Sequence, residues 1–441
     1  MGNEAKNRNI KIATDLQFQV SSNIEKIDRN SFNIISLIGT GGFSKVWEVK
    51  WKKSGESFAM KEMSKARIID SKSVKSIITE RDILSKINHP FIINLHFAFQ
   101  DSNKLYLVMD LIKGKDLRRH LKHLKQMTEE QTKFIAGCVI LGLEYLHFND
   151  IVHRDIKPEN IIIDENGYAK ITDFGLSCPL KKVSINETPG TYSYMAPEIL
   201  FHEQTNLSLD FYPLGIIVYE LMKGIKPYIE FNAQDTKKYL SENQFSMKRH
   251  AVPEGWGIES ADFINRLLLK NPKARLGASG AKELKNHCWF RGFNFKDLYE
   301  FKIKSPFEVT NFKTQIEIKT IDNKTYKRYN KIMKSSEYKT AFKNFLYFNS
   351  FDKNLSTNFF NNPHEQLNNE SNNNKNNNIK NNNKNNKNNN INNQKNNIFF
   401  TNNGIGNRSY VLSFKNNEYV TKIENDKSLN DIHKNDFSEI N

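Results

Sequence analysis

Cysteine is scarce: Cys138, Cys178 and Cys288 are the whole complement of a 441-residue chain. They are odd in number and far apart, which excludes a disulfide framework and points to a reducing compartment, with a cytoplasmic location as the expectation. Long hydrophobic runs are missing too. None reaches the ~18–20 residues that span a bilayer. The longest, Phe134–Leu143, stops at Glu144 and reads as a buried helix. No apolar stretch stands near Met1, so a secretory signal is not expected. The net charge is +16, from 65 basic and 49 acidic residues, yet no Arg-rich stripe with interleaved aromatics accompanies it. Lysine instead follows the excess of asparagine and isoleucine along the whole chain. That pattern reads as composition, and no nucleic-acid partner is expected.

Hydrophobic residues make up 38% and charged residues 26%, and the apolar shortfall is local. Twenty-two of the 40 residues from 361 to 400 are asparagine. At ~100–200 residues per domain the length suggests two or three units. Residues 1–31 read as a mobile arm. From Phe32 to Ile38 a strand is expected, then a glycine turn, then strands over Val46–Val49 and Ser57–Glu62. A helix over 70–87 carries Ile77, Ile78, Arg81, Ile83 and Leu84 on one period and ends at Asn88-His89-Pro90. Two β-rich runs, Ile92–Phe99 and Leu105–Leu111, complete a small sheet with one helix. Past Lys113-Gly114, helical pattern holds over 116–148, short strands over 151–171, and mostly helix over 205–290. A β-rich lobe followed by a helix-rich one is α+β in class. The segment 356–399 is low-complexity Asn/Lys that buries too little to offset its ordering entropy. Residues 400–441 are polar with scattered aromatics and are expected to be disordered.

The residues with chemical potential come in order. Gly39-Thr40-Gly41-Gly42-Phe43-Ser44-Lys45-Val46 joins two strands, and glycines let backbone N–H groups approach a polyphosphate closely. Lys61 stands on the next strand in Phe58-Ala-Met-Lys61, and Glu80 on the helix supplies a carboxylate to hold its ammonium. His153-Arg154-Asp155-Ile-Lys157-Pro-Glu159-Asn160 follows, with Asp173-Phe174-Gly175 beginning 18 residues after Asp155. Gly190-Thr191 and Ala196-Pro197-Glu198 come next. Five ordered motifs at these spacings resemble the signature set of the eukaryotic protein kinases, and the resemblance runs continuously over 32–290.

That resemblance implies a bilobal kinase fold and phosphoryl transfer from ATP with Mg²⁺ to protein substrates. Catalysis of this kind is mainly positioning and charge stabilisation. Asp173 and Asn160 are implied metal ligands, Lys61 with Glu80 orients the α- and β-phosphates, and Asp155 accepts the substrate hydroxyl proton. Lys157 neutralises the migrating phosphoryl group, and Thr191 ties Asp155 to Lys157, a pattern similar to serine/threonine kinases. Ile38 and the residues of the glycine turn (Gly39, Thr40, Gly41, Gly42, Phe43 and Ser44) line the nucleotide. Val46, Ala59 and Ile162 sandwich adenine, Met109 is the gatekeeper, Asp110 and Ile112 offer hinge backbone groups, and Asp116 faces the ribose. Asp210 and the Arg275–Glu198 pair are implied scaffold. A pseudokinase scaffold and a calmodulin-dependent-type kinase are the alternative readings; no EF-hand loop pattern is found.

Glu80-Arg-Asp-Ile-Leu, Arg275-Leu-Gly-Ala-Ser-Gly280 and His287-Cys-Trp-Phe-Arg-Gly-Phe293 look like the AGC group, relatives of cAMP-dependent and YANK kinases. Pro306-Phe307 and Phe342-Lys-Asn-Phe345 resemble the AGC tail, expected over 291–355, with Phe342 and Phe345 bracing the helix of Glu80. Two positions depart from the pattern. Glu187 stands where the activation-loop phosphosite is usual, and Leu346 where the tail phosphosite is. Glu187 is expected to give Arg154 a fixed negative charge, with Thr188 beside it as a possible phosphosite; a carboxylate carries one charge against ~1.5–2 for phosphate. Glu159 and Glu220 match carboxylates that read basic residues upstream of the target. Met1-Gly2 invites myristoylation, but Lys6 stands where the motif wants Ser or Thr, and Lys6, Arg8 and Lys11 are the second membrane signal available. A monomer is expected.

Overall fold

The computed structural model describes residues 27–42, 44–184, 186–228, 233–307, 323–343, 345–348, 399–401, 408–415 and 418–425. Calls on Gly2, Lys6, Arg8, Lys11, Phe43 and the Asn-rich stretch up to 398 lie outside them. Two compact units divide the chain, 1–361 and 362–441.

In the first unit, five strands form most of an antiparallel sheet: β1 (Phe32–Thr40), β2 (Ser44–Trp51), β3 (Ser57–Ser64), β4 (Leu95–Gln100) and β5 (Lys104–Asp110). Their order is β1-β2-β3-β5-β4. Alternation on β3 sends Phe58 and Met60 into an outer cluster with Phe32, Val49, Trp51, Phe97 and Tyr106. Ala59, Lys61 and Met63 are left on the opposite face, because successive strand side chains point to opposite sides. The arm expected over 1–31 ends earlier: Ile27 is buried in the outer cluster, and Asp28 caps a short turn over Arg29–Ser31.

The helix expected over 70–87 is shortened at both ends, and a separate short helix precedes it. The first, α1 (Lys65–Asp70), ends at Ser71, and Lys72 takes a left-handed φ of 56° that no helix continues through. The second, α2 (Val74–Leu84), closes at Ser85 and carries Glu80 buried. The strand expected from Ile92 begins at Leu95. Helical pattern over 116–148 also breaks, at Lys125 with φ 66°. It gives α3 (Leu117–Leu124) and α4 (Glu129–Phe148), the latter opened by a Thr128–Gln131 capping box and buried throughout Phe134–Leu143.

The large lobe places two small ladders beside the cleft. One joins β6 (Lys115–Asp116), β8 (Ile161–Ile163) and β9 (Ala169–Ile171); the other pairs β7 (Ile151–Val152) with β10 (Cys178–Pro179). Gly114 is required at the first, since a Cβ there would stand 1.8 Å from the Ile163 carbonyl oxygen. Below lie α5 (Pro197–Leu200), α6 (Phe211–Lys223), α7 (Ala233–Glu242), α8 (Glu259–Leu267) and α9 (Ala281–Lys285). One pair locks this half: Arg275 meets Glu198 through two 2.7 Å bonds, both side chains fully buried.

Past α9 the tail packs back on the domain. Beyond α10 (Phe295–Tyr299), Tyr168 donates to the Ile303 carbonyl at 2.6 Å and Ser305 to that of Gly167 at 3.1 Å. Helices α11 (Asn323–Met333) and α12 (Ser336–Thr340) precede β11 (Tyr347–Phe348), which pairs with β4 and becomes the sixth strand of the sheet. Phe342 and Phe345 are both buried.

The described residues of the second unit are three antiparallel strands, β12 (Phe399–Thr401), β13 (Arg408–Lys415) and β14 (Glu418–Asn425), in that order. These strands lie within or beside the 400–441 span expected to be disordered. Tyr410, Leu412 and Phe414 alternate with Ser409, Val411 and Ser413, a period of two that suits a strand even in so polar a segment.

Candidate functional site

The cleft is built from both lobes of the first unit. Register sets the roof: Val46 on β2 faces Lys61 on β3, which faces Leu107 on β5, while Ala59 faces Met109. Gly39 pairs with Val46 across the turn, and the Gly41 N–H returns to the Ser44 carbonyl at 2.8 Å. Gly42 has no heavy atom within 4 Å of a built Cβ, so the turn tip stays open. Thr40 and Ile38 are exposed beside it, Met109 is buried behind, and Val46 and Ile162 are half-buried.

Lys61 Nζ donates to Glu80 Oε1 at 2.6 Å, joining sheet to helix. Burial works against the Lys61 ammonium, but the charges of Glu80 and Asp173 outweigh it and hold its pKa above the ordinary value. Asp173 is near enough for its charge to act on both members of this pair. Asp173 has a left-handed φ of 63°, a costly conformation for a non-glycine residue that clusters at functional sites. Phe174 anchors it from below, buried edge-on against His153 with centroids 5.0 Å apart. The Gly175 N–H reaches Asp173 Oδ1 at 3.3 Å, and Ser76 on α2 donates to the Gly175 carbonyl.

Asp155 is held from three sides. Lys157 Nζ donates to Oδ2 at 2.6 Å, Asn160 Nδ2 donates to Oδ2 at 3.0 Å, and Thr191 Oγ1 donates to Oδ1 at 3.2 Å. Lys157 also reaches Thr191 Oγ1 at 3.0 Å. Gly190 permits this closure: its φ is 116°, and a Cβ would lie 2.9 Å from the Arg154 carbonyl oxygen. The loop backbone hangs from Asp210, whose carboxylate accepts from the His153 and Arg154 N–H groups at 2.9 and 2.8 Å and meets His147 at 2.9 Å. Burial would raise the Asp210 carboxyl, yet these hydrogen bonds and histidines hold it low.

The donor set fits a divalent cation. Asn160 spends its amide nitrogen on Asp155, on Oδ2 and on the backbone carbonyl at 2.9 Å. Its Oδ1 has no partner among the described contacts, and Asp173 is exposed with one weak backbone partner among them. Two hard oxygens of this kind suit Mg²⁺.

Three predicted residues, Asp110, Asp116 and Glu187, are placed differently or carry a second task. The Asp110 carboxylate is turned away to His96 at 2.7 Å and to Asn94 at 2.9 Å, so its backbone alone faces the hinge. Among the described residues no acceptor is paired with the Ile112 N–H. Asp116 caps α3, accepting the Arg119 N–H at 3.0 Å. The expected Glu187–Arg154 ion pair is not formed among the described contacts: Glu187 is exposed and keeps its hydration, while Arg154, at φ 66°, turns its Nε to the Leu176 carbonyl at 2.7 Å. Thr188 is half-buried beside it. Phe342 and Phe345 do reach the small lobe: the Phe342 carbonyl accepts from Gln100 at 2.8 Å, and Arg81 of α2 lies 5.6 Å from the Phe345 ring centre.

Glu159 and Glu220 are brought together, but by a residue the sequence reading passed over. Arg118 on α3 pairs with Glu159 at 2.8 Å and with Glu220 at 2.7 Å. Two adjacent arginines on a polar helix read as solvated charge, and no signal in the chain linked them to acids 41 and 102 positions away.

The sequence profile described as the protein kinase domain matches residues 32–290, more than half of the chain. A probable serine/threonine-protein kinase of Dictyostelium discoideum is 40% identical over 284 residues, 64% of this chain and 61% of that protein. The cAMP-dependent protein kinase catalytic subunit of the same organism is 38% identical over 278 residues, 63% of this chain and 42% of that one. Ribosomal protein S6 kinase alpha-2 of Homo sapiens is 36% identical over 305 residues, 67% and 40% of the two chains. The chain therefore spans 40% to 61% of the length of these relatives, and they agree with the AGC-like resemblance.

Proposed function

Because the chain belongs to the protein kinase domain family, we propose that it transfers the γ-phosphoryl group of ATP to serine and threonine hydroxyls of protein substrates. The observation that carries this reading is the Asp155 carboxylate fixed by Lys157, Asn160 and Thr191. In the reaction the substrate oxygen bonds to the γ-phosphorus, the bond to the β–γ bridging oxygen breaks, and ADP leaves. The hydroxyl proton passes to Asp155, and Lys157 offsets charge on the migrating group. Lys61, kept cationic by Glu80, orients the α- and β-phosphates against the glycine turn. Adenine lies between Val46 and Ala59 above and Ile162 below, with the Ile112 N–H as a hinge donor.

Asp173 and Asn160 are the residues that would hold Mg²⁺, which would supply positive charge to the phosphates. Glu159 and Glu220 form an acidic subsite for residues N-terminal to the target, which favours basic neighbours to an extent limited by Arg118.

The test is the purified chain with Mg-ATP and a degenerate Ser/Thr peptide library, run beside Asp155→Asn and Asp173→Ala. Phosphoserine and phosphothreonine are expected from the native chain. Asp155→Asn is expected to lower kcat by about 10²–10⁴-fold while nucleotide still binds. Equal turnover by native and Asp155→Asn proteins, or phosphate found on tyrosine, defeats the assignment.

A further inference from the structure

Arg118 is more deeply engaged than a surface arginine. Its side chain is 21% exposed and that of Glu220 is 6% exposed. Nε donates to Glu159 Oε1 at 2.8 Å, Nη1 to Glu220 Oε1 at 2.7 Å, and Nη2 to Glu220 Oε2 at 3.4 Å. Nη2 also donates to the Tyr194 hydroxyl, which in turn bonds Glu220 Oε2. All three guanidinium nitrogens are thus used, in the planar, forked geometry that arginine alone supplies. Lys226 adds a second cation: Nζ lies 4.6 Å from the Tyr194 ring centre and donates to Ser193 Oγ at 2.7 Å. Two carboxylates face two cations, so the subsite carries no formal surplus of negative charge.

We propose that Arg118 is an intramolecular stand-in for a substrate arginine, filling the subsite formed by Glu159 and Glu220 and thereby setting how strongly a basic residue upstream of the target is favoured. The inference rests on the kinase reading above and names a specificity-determining residue for it. A substrate guanidinium entering this subsite must either displace Arg118, leaving it without its partners, or settle for Glu159, which is 45% exposed. Exposed pairs contribute little. With Arg118 removed, Glu220 is a buried carboxylate left with the Tyr194 hydroxyl and the charge of nearby Lys226, and a substrate arginine restores the direct ion pair it has lost. Truncating one partner of a buried charge pair is costly chiefly because the other is stranded; here the substrate can repair that loss.

The experiment uses the full chain and matched peptides bearing Arg or Ala at each position upstream of the target. The native chain is expected to favour Arg by no more than about threefold in kcat/KM, and Arg118→Ala by about tenfold or more. Arg118→Lys, which keeps the charge and loses the fork, falls between them. A second readout does not need turnover: the Arg peptide should raise the melting temperature of Arg118→Ala more than the Ala peptide does, by mass action on the folded state. A native chain that already favours Arg tenfold, with the ratio unchanged in Arg118→Ala, overturns the proposal. So does an Arg118→Ala chain that neither discriminates between the peptides nor is stabilised by the Arg peptide. If instead no variant phosphorylates any peptide, the kinase reading fails while the melting arm still decides the role of Arg118.

Discussion

Arg275 offers the sharpest test of how the large lobe is held. Its guanidinium donates twice to Glu198 at 2.7 Å, to the Leu269 carbonyl at 3.0 Å, to Ser208 at 3.1 Å and to Lys270 at 3.3 Å. It also lies 5.0 Å from the Tyr212 ring centre. Arg275→Met fills similar volume but leaves Glu198 charged in a site without solvent exposure. Stranding one partner of such a pair costs ~3–5 kcal/mol, about 6–20 °C in melting temperature for a domain of this size. Joining Glu198→Leu to Arg275→Met removes the stranded charge and should recover at least about 2 kcal/mol, although the three carbonyls still lose the arginine as a donor. Denaturant unfolding followed by tryptophan fluorescence reads both lobes, through Trp47 and Trp51 in one and Trp256 and Trp289 in the other. A loss under about 1 kcal/mol in the single variant, or a double variant no more stable than it, would refute the reasoning.

Two further outcomes are expected. Phe345→Ala should release the tail before it unfolds the domain: limited proteolysis within 323–348 should speed up and kcat/KM should fall about tenfold, with a shift of the main melting transition no larger than about 3 °C. An unchanged proteolysis rate argues against docking through this ring. Stability should also fall as pH drops below about 6.5. Burial pushes the His89 imidazole down to about 3, with Lys170 adding to the effect. The unfolded chain therefore binds the proton first, and acid favours unfolding through the window between those two values. The native chain should lose about 2 kcal/mol more than His89→Asn between about pH 7 and pH 5. Denaturant midpoints at the two pH values check this, and parallel pH dependences would count against it.

What could be read in advance was what chemistry restricts to particular residue types. Glycines at the turn after the first strand, a strand lysine, and the acids at 155 and 173 admit few substitutes, so together they carried the kinase resemblance that implied the site. Boundaries were less legible. The break at Lys72 depends on one left-handed residue, and lysine carries no signal for that conformation. The Glu187–Arg154 pair is not formed among the described contacts for a related reason: opposite charges in a motif suggest partners, but Arg154 turns its Nε to the Leu176 carbonyl. Arg118 was invisible because its meaning lies in tertiary contacts. The strand formed by Tyr347 and Phe348 exists because β4 leaves an edge to pair with, which no local pattern reveals.

The second helix gathers these threads into one mechanical argument. Within two turns of α2, Ser76 bonds the Gly175 carbonyl, Glu80 holds Lys61, and Arg81 covers the Phe345 ring. The Asp173-Phe174-Gly175 turn, Lys61 and the tail therefore all touch one helix with its own buried face, Ile77, Ile83 and Leu84. A helix this short draws most of its stability from such packing. Whatever strengthens one of the three contacts narrows the positions available to the other two. Any coupling between tail docking and nucleotide binding is reciprocal: if the seated tail improves nucleotide binding by some factor, bound nucleotide tightens the seat of Phe345 by the same factor.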